Sequence, residues 1–438
     1  MEEIYSKYLE CGGVVTTDSR TVKGGEMFIA LKGENFDGNE YVDKALEAGA
    51  AYAVVDIAGK AAGNNDPRVI KVEDTFAFLK QLANYHRHHC LGESHLPVLG
   101  LTGTNGKTTT KELIRSVLSR KYNVTATEGN LNNDIGVPLS LLKIRPDTEL
   151  AVIEMGANHP DDIKHLVEVC EPDSGLITTV GKAHLLGFGS FEGVKKAKGQ
   201  LYDFISEHEG IVFVNVDDEN LKEMSAERGG LTIIPYGMDY SGAEVLPPSP
   251  ENPFLRVSIG GKTVNTHLVG AYNAVNVLAA ICVGSHFEVP FEDCVAAIES
   301  FVPANNRSQM QKTANNTLIL DAYNANPSSM TAALDSFSTM ESSSKIALLG
   351  DMRELGENSV QEHIKILDKI ASADIKAYLV GEEFGKALCQ RPGAGNILGH
   401  FASSEELSLY LKENRIVNSC VLVKGSRGIQ MEKVIPSL

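Results

Sequence analysis

The segment VLGLTGTNGKTTTKELIRSVL, residues 98–118, constrains the fold more than any other part of this sequence. The pattern predicts a short apolar strand, a glycine-containing turn and an amphipathic helix that begins near Lys107. Glycines allow a tight turn that points several backbone N–H groups inward, and the positive end of the helix dipole faces the same point. The segment therefore predicts a strand–loop–helix unit that binds phosphate.

The loop departs from the strict phosphate-loop pattern. That pattern places a glycine five positions before Gly106, where this chain has Leu101, but Gly103 lies nearer and suits a more compact loop. The chain also contains a second Gly-Lys-Thr, within GGKT at 260–263, which lies between two alternating segments and has no helix after it. That context is typical of a hairpin turn, so only the first copy is predicted to bind phosphate.

A chain of 438 residues is too long for one ordinary core, so more than one domain is expected. Near-continuous apolar strands alternate with helical segments from 98 onward, which favours parallel sheets covered on both faces. We predict an α/β protein of three domains. These are a small α/β N-terminal domain (1–93), a central phosphate-loop ATPase domain with a mostly parallel sheet (94–303) and a C-terminal Rossmann-like doubly wound domain (304–438).

Shorter patterns predict individual elements. The alternation around Gly260 and Gly261 predicts a hairpin, and helices are predicted over 272–286 and 291–301. Strands are predicted in four segments of the last domain: TLILDAYNANP, KIALLGDM, AYLVGEE and SCVLVKGS.

Charge and composition exclude several classes of protein. A formal net charge of −17 disfavours nucleic-acid binding and binding to anionic membranes. No apolar run approaches the ~20 residues that would span a bilayer, and the acidic start MEEIYSKYLE does not resemble a signal peptide. Seven cysteines without a CxxC pair indicate buried thiols in a reducing compartment. The expected location is the cytoplasm.

Two side chains are predicted to lie beside the phosphate loop. Glu154 ends the apolar strand LAVIEMG, and His184 follows the next strand. The carboxyl ends of parallel strands meet at one edge of a sheet, so both residues should project near the loop. Considered alone, such an acid also suits a helix cap and a lone histidine is often structural. Lys195, Lys196 and Lys198 share one predicted helix, where they would otherwise form a solvated basic face.

Longer motifs identify a family resemblance. GLTGTNGKTTTKELI resembles the ATP loop of the Mur ligases and their folylpolyglutamate synthase relatives. Residues 16–50 resemble the uridine-nucleotide-binding N-terminal domain of that family. Three further stretches resemble the branch that adds D-alanyl-D-alanine: DAYNANPSSM (321–330), LLGDMRELGENSVQEH (348–363) and VLVKGSRGIQMEKVI (421–435). The resemblance covers nearly the whole chain in order.

The resemblance implies an ATP-dependent amide ligase of peptidoglycan synthesis. ATP would phosphorylate the terminal carboxylate of UDP-N-acetylmuramoyl-tripeptide, and the amine of D-alanyl-D-alanine would attack the acyl phosphate to give the pentapeptide. Such phosphoryl transfer needs mainly positioning and charge neutralisation. The N-terminal domain would bind the UDP-muramoyl-peptide, the C-terminal domain would face the dipeptide, and a monomer is expected. The alternatives are a diaminopimelate- or lysine-adding ligase, a folylpolyglutamate synthase, or a non-catalytic nucleotide-binding scaffold.

The resemblance also implies a set of ATP and metal ligands. The family binds two Mg²⁺ ions, which here would use Thr108, Glu154, His184 and a carbamylated Lys198, with Lys195 as the rival for the modified lysine. Lys107, Glu154, His184 and Lys198 would be the catalytic residues. The family often has histidine where this chain has Tyr272, and usually has glycine where it has Asn306. The residues expected to contact ATP are Gly103, Thr104, Asn105, Gly106, Lys107, Thr108, Thr109, Asn273, Asn276, Arg307 and Asp321.

The expected substrate contacts fall in three segments. Ser19 and Arg20 would meet the uridine diphosphate, since the planar arginine fork suits a diphosphate. The loop 127–138 would meet the muramoyl-peptide, and YNANP would face D-alanyl-D-alanine. Each of these segments would also suit an ordinary turn. The residues assigned to the last two segments are Thr127, Asn130, Asn132, Asn133, Tyr323, Asn324 and Asn326.

Overall fold

The computed structural model describes residues 1–33, 36–92, 94–249, 252–304, 306–393 and 396–438. Helices and strands alternate through three successive units, which confirms the predicted α/β class and the three-domain order. Residue 93, the first predicted boundary, lies outside the described residues. The boundaries at 93 and 303 therefore stay predictions.

The N-terminal unit is built on a parallel sheet with the strand order β1-β2-β3-β4. Its elements are α1 (Glu2–Glu10), β1 (Val15–Thr16), β2 (Met27–Ile29), α2 (Val42–Glu47), β3 (Tyr52–Asp56), β4 (Val69–Val72) and α3 (Thr75–His89).

The central unit is built on a second parallel sheet with the strand order β10-β9-β8-β5-β7-β6. Strands β7 and β6 lie on one side of β5 and strands β8, β9 and β10 lie on the other, so the strand order reverses at β5. In such sheets ligands bind outside the carboxyl ends of the strands where the order reverses, and the loop after β5 lies at that point. The elements are β5 (Val98–Thr102), α4 (Lys107–Leu118), β6 (Val124–Ala126), α5 (Gly136–Leu141), β7 (Leu150–Glu154), α6 (Asp162–Cys170), β8 (Ser174–Ile177), α7 (Leu185–Phe188), α8 (Phe191–Glu207), β9 (Ile211–Asn215), α9 (Glu219–Ala226) and β10 (Thr232–Tyr236).

The first two units share one apolar core. Phe78 and Leu79 of α3 belong to the same buried cluster as Val137 and Leu141 of α5. The buried Tyr8 hydroxyl donates to the carbonyl of Leu142 at 3.0 Å, which adds a polar tie across the same boundary. Burial of this shared apolar surface holds the N-terminal unit against the central sheet.

A small antiparallel sheet and two helices complete the central unit. The Gly260–Gly261 turn joins β12 to β13 with both glycines at positive φ (57° and 82°), which confirms the predicted hairpin. The GGKT at 260–263 is therefore a turn. The two predicted helices are also confirmed, within two residues at each end. The elements are β11 (Glu244–Leu246), β12 (Arg256–Ile259), β13 (Lys262–Asn265), α10 (Ala274–His286) and α11 (Phe291–Ser300).

The C-terminal unit is a six-stranded sheet with the order β14-β15-β19-β16-β17-β18, in which β14 alone is antiparallel. The four predicted strands are confirmed as β15, β16, β17 and β19. The edge strands β14 and β18 were not predicted, because QMQK is polar and ILGHF is only half-buried. The elements are β14 (Gln309–Lys312), β15 (Asn316–Asp321), α12 (Pro327–Thr339), β16 (Lys345–Gly350), α13 (Ser359–Ser372), β17 (Lys376–Val380), α14 (Glu382–Gln390), β18 (Ile397–Phe401), α15 (Ser404–Glu413) and β19 (Ser419–Lys424).

No helix in the described part of the chain is both long and apolar enough to cross a membrane.

Candidate active site

The loop between β5 and α4 has the backbone geometry that an anion cradle requires. Gly103 has a φ of 146°, and a Cβ there would lie 2.0 Å from the Thr178 hydroxyl oxygen. Gly106 has a φ of 80° and begins α4 without a side chain to cap the first turn. The first N–H groups of α4 therefore stay available to an anion.

Lys107 folds back over this loop. Its ammonium group donates to the carbonyl oxygens of Gly103 at 2.7 Å and Thr104 at 3.2 Å. Burial lowers the pKa of Lys107, the nearby Glu154 carboxylate opposes that shift, and Arg307 adds to it. Phosphate oxygens are stronger acceptors for an ammonium group than neutral carbonyls are. Lys107 can therefore exchange its hydrogen bonds to the two loop carbonyls for hydrogen bonds to a bound phosphate.

Glu154 has one carboxylate oxygen that is hydrogen-bonded and one that is not. Its Oε1 accepts from the Thr108 hydroxyl at 3.2 Å and from the Asn132 amide at 2.8 Å. Its Oε2 is buried and has no hydrogen-bond partner among the residues that the structure describes. An unsatisfied buried group of this kind costs about 1–3 kcal/mol or more. A divalent cation with oxygen ligands would remove that cost, so Glu154 and Thr108 fit Mg²⁺.

His184 meets a residue of the C-terminal unit. Its Nδ1 contacts the Glu354 carboxylate, and the Glu354 carbonyl accepts from the backbone N–H of Leu186 at 3.3 Å. His184 and Glu354 both have positive φ, 51° and 63°, which is uncommon for residues other than glycine. Burial lowers the pKa of His184, and the Glu354 carboxylate opposes that shift. Glu354 was not singled out from the sequence.

Only one of the three lysines of α8 points into the site. The Lys198 side chain is 2% exposed, and its ammonium group reaches the Ala157 carbonyl oxygen at 3.4 Å. Burial lowers the pKa of Lys198 well below its usual range, and the positive charge of Lys107 adds to the effect. Lys195 instead forms an ion pair with Glu223 at 2.7 Å, and Lys196 is exposed.

The two asparagines expected near adenine form part of a buried polar chain. Asn276 accepts from the Thr110 hydroxyl at 3.0 Å and donates to the Asn273 amide oxygen at 2.9 Å. The Asn273 amide donates to the carbonyl of Val269 at 2.8 Å and to the hydroxyl of Ser308 at 3.1 Å. Both side chains are 5% exposed or less, so the structure gives them a packing role, and contact with adenine stays a prediction.

The backbone conformation of the linker around Arg307 explains why asparagine can occupy position 306. Asn306 and Ser308 both have positive φ, 55° and 46°. Asparagine tolerates that conformation better than most residues, so it can replace the glycine that is usual in the family. Arg307 lies between them, with its guanidinium carbon 3.5 Å from the centre of the Tyr323 ring.

Asp321, expected at the ribose, is held by a buried lysine. The Lys424 ammonium group lies 2.6 Å from the Asp321 carboxylate and also donates to the Asn324 carbonyl at 3.2 Å. Lys424 is 1% exposed, so this ion pair fixes the start of the YNANP segment. Lys424 was not assigned from the sequence, although it lies within the motif VLVKGSRGIQMEKVI.

The phosphate loop touches the segment that was expected to face the dipeptide. The Asn326 amide donates to the Asn105 amide oxygen at 2.8 Å, and the Asn105 amide donates to the Ser328 hydroxyl at 2.8 Å. Asn326 also caps α12 together with Ser329. Two predicted site segments more than 200 residues apart are therefore in direct contact.

Other expected substrate residues lie in two places. Thr127 is buried and its hydroxyl accepts from the Glu154 backbone N–H at 3.0 Å, whereas the Asn133 amide oxygen accepts from the N–H of Gly136 at the start of α5. Ser19 and Arg20 lie in the N-terminal unit, where exposed Arg20 forms a bidentate ion pair with Asp18 at 2.6–3.1 Å. A diphosphate would have to compete with Asp18 for Arg20.

A cleft of about 320 Å³ lies between the central and C-terminal units. It receives residues from the phosphate-loop helix, from the loop after β6 and from the C-terminal unit. Arg427 and Glu432, which line it, were not assigned from the sequence, although both lie in the motif VLVKGSRGIQMEKVI. Its walls include Thr108, Asn130, Arg307, Tyr323, Arg427 and Glu432.

Family comparisons match all three units. Residues 13–87 match the catalytic domain of the Mur ligase family, residues 101–284 match the Mur ligase middle domain, and residues 306–427 match the Mur ligase glutamate ligase domain.

Relatives match over nearly the full chain. A UDP-N-acetylmuramoyl-tripeptide–D-alanyl-D-alanine ligase of Bacillus subtilis is 33% identical over 97% of this chain and 92% of the relative. A crystal structure of MurF from Acinetobacter baumannii has a TM-score of 0.85 at 31% identity, covering 97% of this chain and 92% of that one. The MurF ligase of Thermotoga maritima in complex with ADP has a TM-score of 0.83 at 26% identity, covering 97% and 96%.

Proposed function

This chain belongs to the Mur ligase family, and we propose that it joins D-alanyl-D-alanine to UDP-N-acetylmuramoyl-tripeptide at the expense of ATP. The products are the UDP-N-acetylmuramoyl-pentapeptide, ADP and phosphate. The observation that carries the proposal is the cleft in which the phosphate-loop helix, the loop after β6 and the YNANP segment meet. A ligase that passes a phosphoryl group to one substrate and an acyl group to another needs these parts within one cavity.

The first half of the reaction activates a carboxylate. The N–H groups at the start of α4 and the Lys107 ammonium group hold the phosphates of ATP, while Arg307 approaches from the domain linker. The tripeptide carboxylate attacks the γ-phosphorus, a bond forms between carboxylate oxygen and phosphorus, and ADP leaves with the electron pair. Lys107 and Arg307 offset negative charge on the phosphoryl group, which is the main contribution a protein makes to this step.

The second half forms the amide. The uncharged amine of D-alanyl-D-alanine attacks the acyl carbon, and phosphate leaves with the electron pair of the C–O bond. Two protons leave the original ammonium group, one before the attack and one as the amide forms. The YNANP segment, fixed by the Lys424 contacts and by the Asn326–Asn105 hydrogen bond, borders the space from which the amine arrives.

Magnesium ions belong to the proposal as well. Thr108 and Glu154 would hold one ion, and His184 with a carbamylated Lys198 would hold another. When bound, Mg²⁺ shields the negative charge on the phosphates that the carboxylate must approach. Two observations support this assignment: the buried Glu154 oxygen that has no hydrogen-bond partner among the described residues, and the buried Lys198 amine, whose pKa burial lowers. Two further expectations accompany it, a cytoplasmic location and a monomeric enzyme.

Acceptor choice tests the proposed function. Purified protein with ATP, Mg²⁺ and UDP-N-acetylmuramoyl-tripeptide should release phosphate rapidly with D-alanyl-D-alanine and slowly with diaminopimelate, lysine or glutamate. Mass spectrometry should find the pentapeptide in the first case only. Release with a free amino acid but not with the dipeptide would identify another ligase of the family. No release with any acceptor would favour a non-catalytic scaffold.

A further inference from the structure

Two oppositely charged side chains, Arg427 and Glu432, line the cleft and have no role in the two reaction steps above. Arg427 lies in the turn after β19, and Glu432 lies in the first turn of the short 3₁₀ helix Met431–Ser437. Both side chains are exposed. Among the described residues, no ion pair within 4 Å includes Arg427 or Glu432, whereas Lys433, next to Glu432, pairs with Glu405.

The position of Arg427 suits a planar anion. Its guanidinium carbon lies 4.9 Å from the centre of the Tyr323 ring, the same ring that Arg307 contacts. A guanidinium group held over an aromatic ring keeps its N–H donors free at the edge, where they match the two oxygens of a carboxylate. In a chain with a net charge of −17, an arginine that lines a cleft and pairs with no carboxylate of the described residues can bind an anionic ligand there.

The two arginines of the cleft differ in their surroundings. Arg307 lies in the linker that follows the central unit, the unit that also supplies Thr108 of the phosphate-loop helix to the cleft. Arg427 follows β19, the strand that ends at Lys424 and so fixes Asn324. Arg427 therefore lies on the side of the cleft that belongs to the C-terminal unit, together with Glu432.

We propose that Arg427 binds the carboxylate of the incoming D-alanyl-D-alanine and that Glu432 faces its ammonium group before reaction. This inference rests on the proposed function, because it assigns one substrate of that reaction to a subsite. D-Alanyl-D-alanine carries its two charges at opposite ends, and an arginine and a glutamate on one wall match that pattern. The pair holds the dipeptide so that its amine faces the acyl phosphate and selects a zwitterion with separated charges.

The test of Arg427 combines a variant with a modified acceptor. In Arg427→Gln, we expect KM for D-alanyl-D-alanine to rise roughly 10- to 100-fold, as for the loss of a hydrogen-bonded ion pair, with KM for ATP and for UDP-N-acetylmuramoyl-tripeptide unchanged. D-Alanyl-D-alanine amide, which lacks the carboxylate, should be a poorer acceptor than the dipeptide for the unmodified enzyme. The variant should not distinguish the two acceptors.

Glu432 is tested with an inhibitor that lacks the ammonium group. N-acetyl-D-alanyl-D-alanine should compete with the acceptor only weakly for the unmodified enzyme, because its neutral amide cannot pair with a carboxylate. In Glu432→Gln, KM for the dipeptide should rise, and the ratio of Ki for the N-acetyl compound to KM for the dipeptide should fall. An unchanged ratio would overturn the role of Glu432.

Arg391→Gln provides the matched control. Arg391 is an exposed arginine of the same unit that pairs with Asp368 at 2.9 Å, and its loss should leave all three KM values unchanged. A rise in KM for ATP alone in Arg427→Gln would assign Arg427 to phosphate and overturn the proposal. So would a variant that still prefers the dipeptide over its amide. If the unmodified enzyme does not use D-alanyl-D-alanine at all, the proposed function itself is wrong.

Discussion

Lys107→Ala should lower kcat by roughly 10²–10³ while leaving the fold intact, because it removes one charged contact to the phosphoryl group in the transition state. The lysine is half-buried and, among the residues that the structure describes, donates to two loop carbonyls alone, so the alanine variant loses little packing. Phosphate release with D-alanyl-D-alanine measures the activity. Circular dichroism and thermal unfolding establish that the variant is folded.

The chain contains its own control for this substitution. Lys262 belongs to the second Gly-Lys-Thr, in a hairpin turn, where its ammonium group contacts the Glu292 carboxylate. Lys262→Ala should retain normal turnover, since the residue has the same immediate sequence neighbours but no helix behind them. Near-normal kcat in Lys107→Ala, or equal losses in both variants, would contradict the assignment of the phosphate loop.

Lys198→Ala should lose activity by roughly 10²-fold or more, because a lost metal ligand removes several kcal/mol of charge stabilisation. A carbamate forms from an uncharged amine and CO₂. Lys198 is buried, and both this burial and the positive charge of Lys107 lower its pKa, which increases the share of uncharged amine. Added acetate or propionate should partly restore the activity of the alanine variant, since a small carboxylate can occupy the place of the carbamate.

Lys195→Ala is the matched control, because Lys195 lies one helical turn earlier on α8 and pairs with Glu223. It should keep most of the activity, and carboxylic acids should not change it. With ¹³C-labelled bicarbonate, the unmodified protein should give a carbamate NMR signal that Lys198→Ala lacks. A signal that persists in Lys198→Ala and disappears in Lys195→Ala would move the modification to Lys195.

Local features of the site could be predicted from the sequence. Gly103 and Gly106 adopt positive φ values, and the need for such residues in a tight turn is visible in the sequence itself. The order of strands and helices followed from apolar runs that alternate with amphipathic segments. The contact of Glu154 with Thr108 follows from the meeting of parallel strand ends at one edge of the sheet, whereas the role of His184 stays a prediction.

Contacts between the units could not be predicted in this way. Glu354 meets His184 and Asn326 meets Asn105 only because of how the C-terminal unit lies against the central one, and no periodicity in the sequence encodes that placement. The burial of Asn273 could not be predicted from the sequence for a related reason. Its hydrogen-bond partners include Ser308 of the linker, and a helix pattern does not show which polar residues a distant segment will satisfy.

The fate of the carboxylate oxygen tests the central claim most directly. UDP-N-acetylmuramoyl-tripeptide labelled with ¹⁸O at both oxygens of its terminal carboxylate is incubated with ATP, Mg²⁺ and D-alanyl-D-alanine. The ¹⁸O content of each product is then measured by mass spectrometry. Activation through an acyl phosphate predicts one ¹⁸O in the inorganic phosphate, none in ADP, and one in the new amide of the pentapeptide. Pentapeptide formed together with unlabelled phosphate would contradict the account.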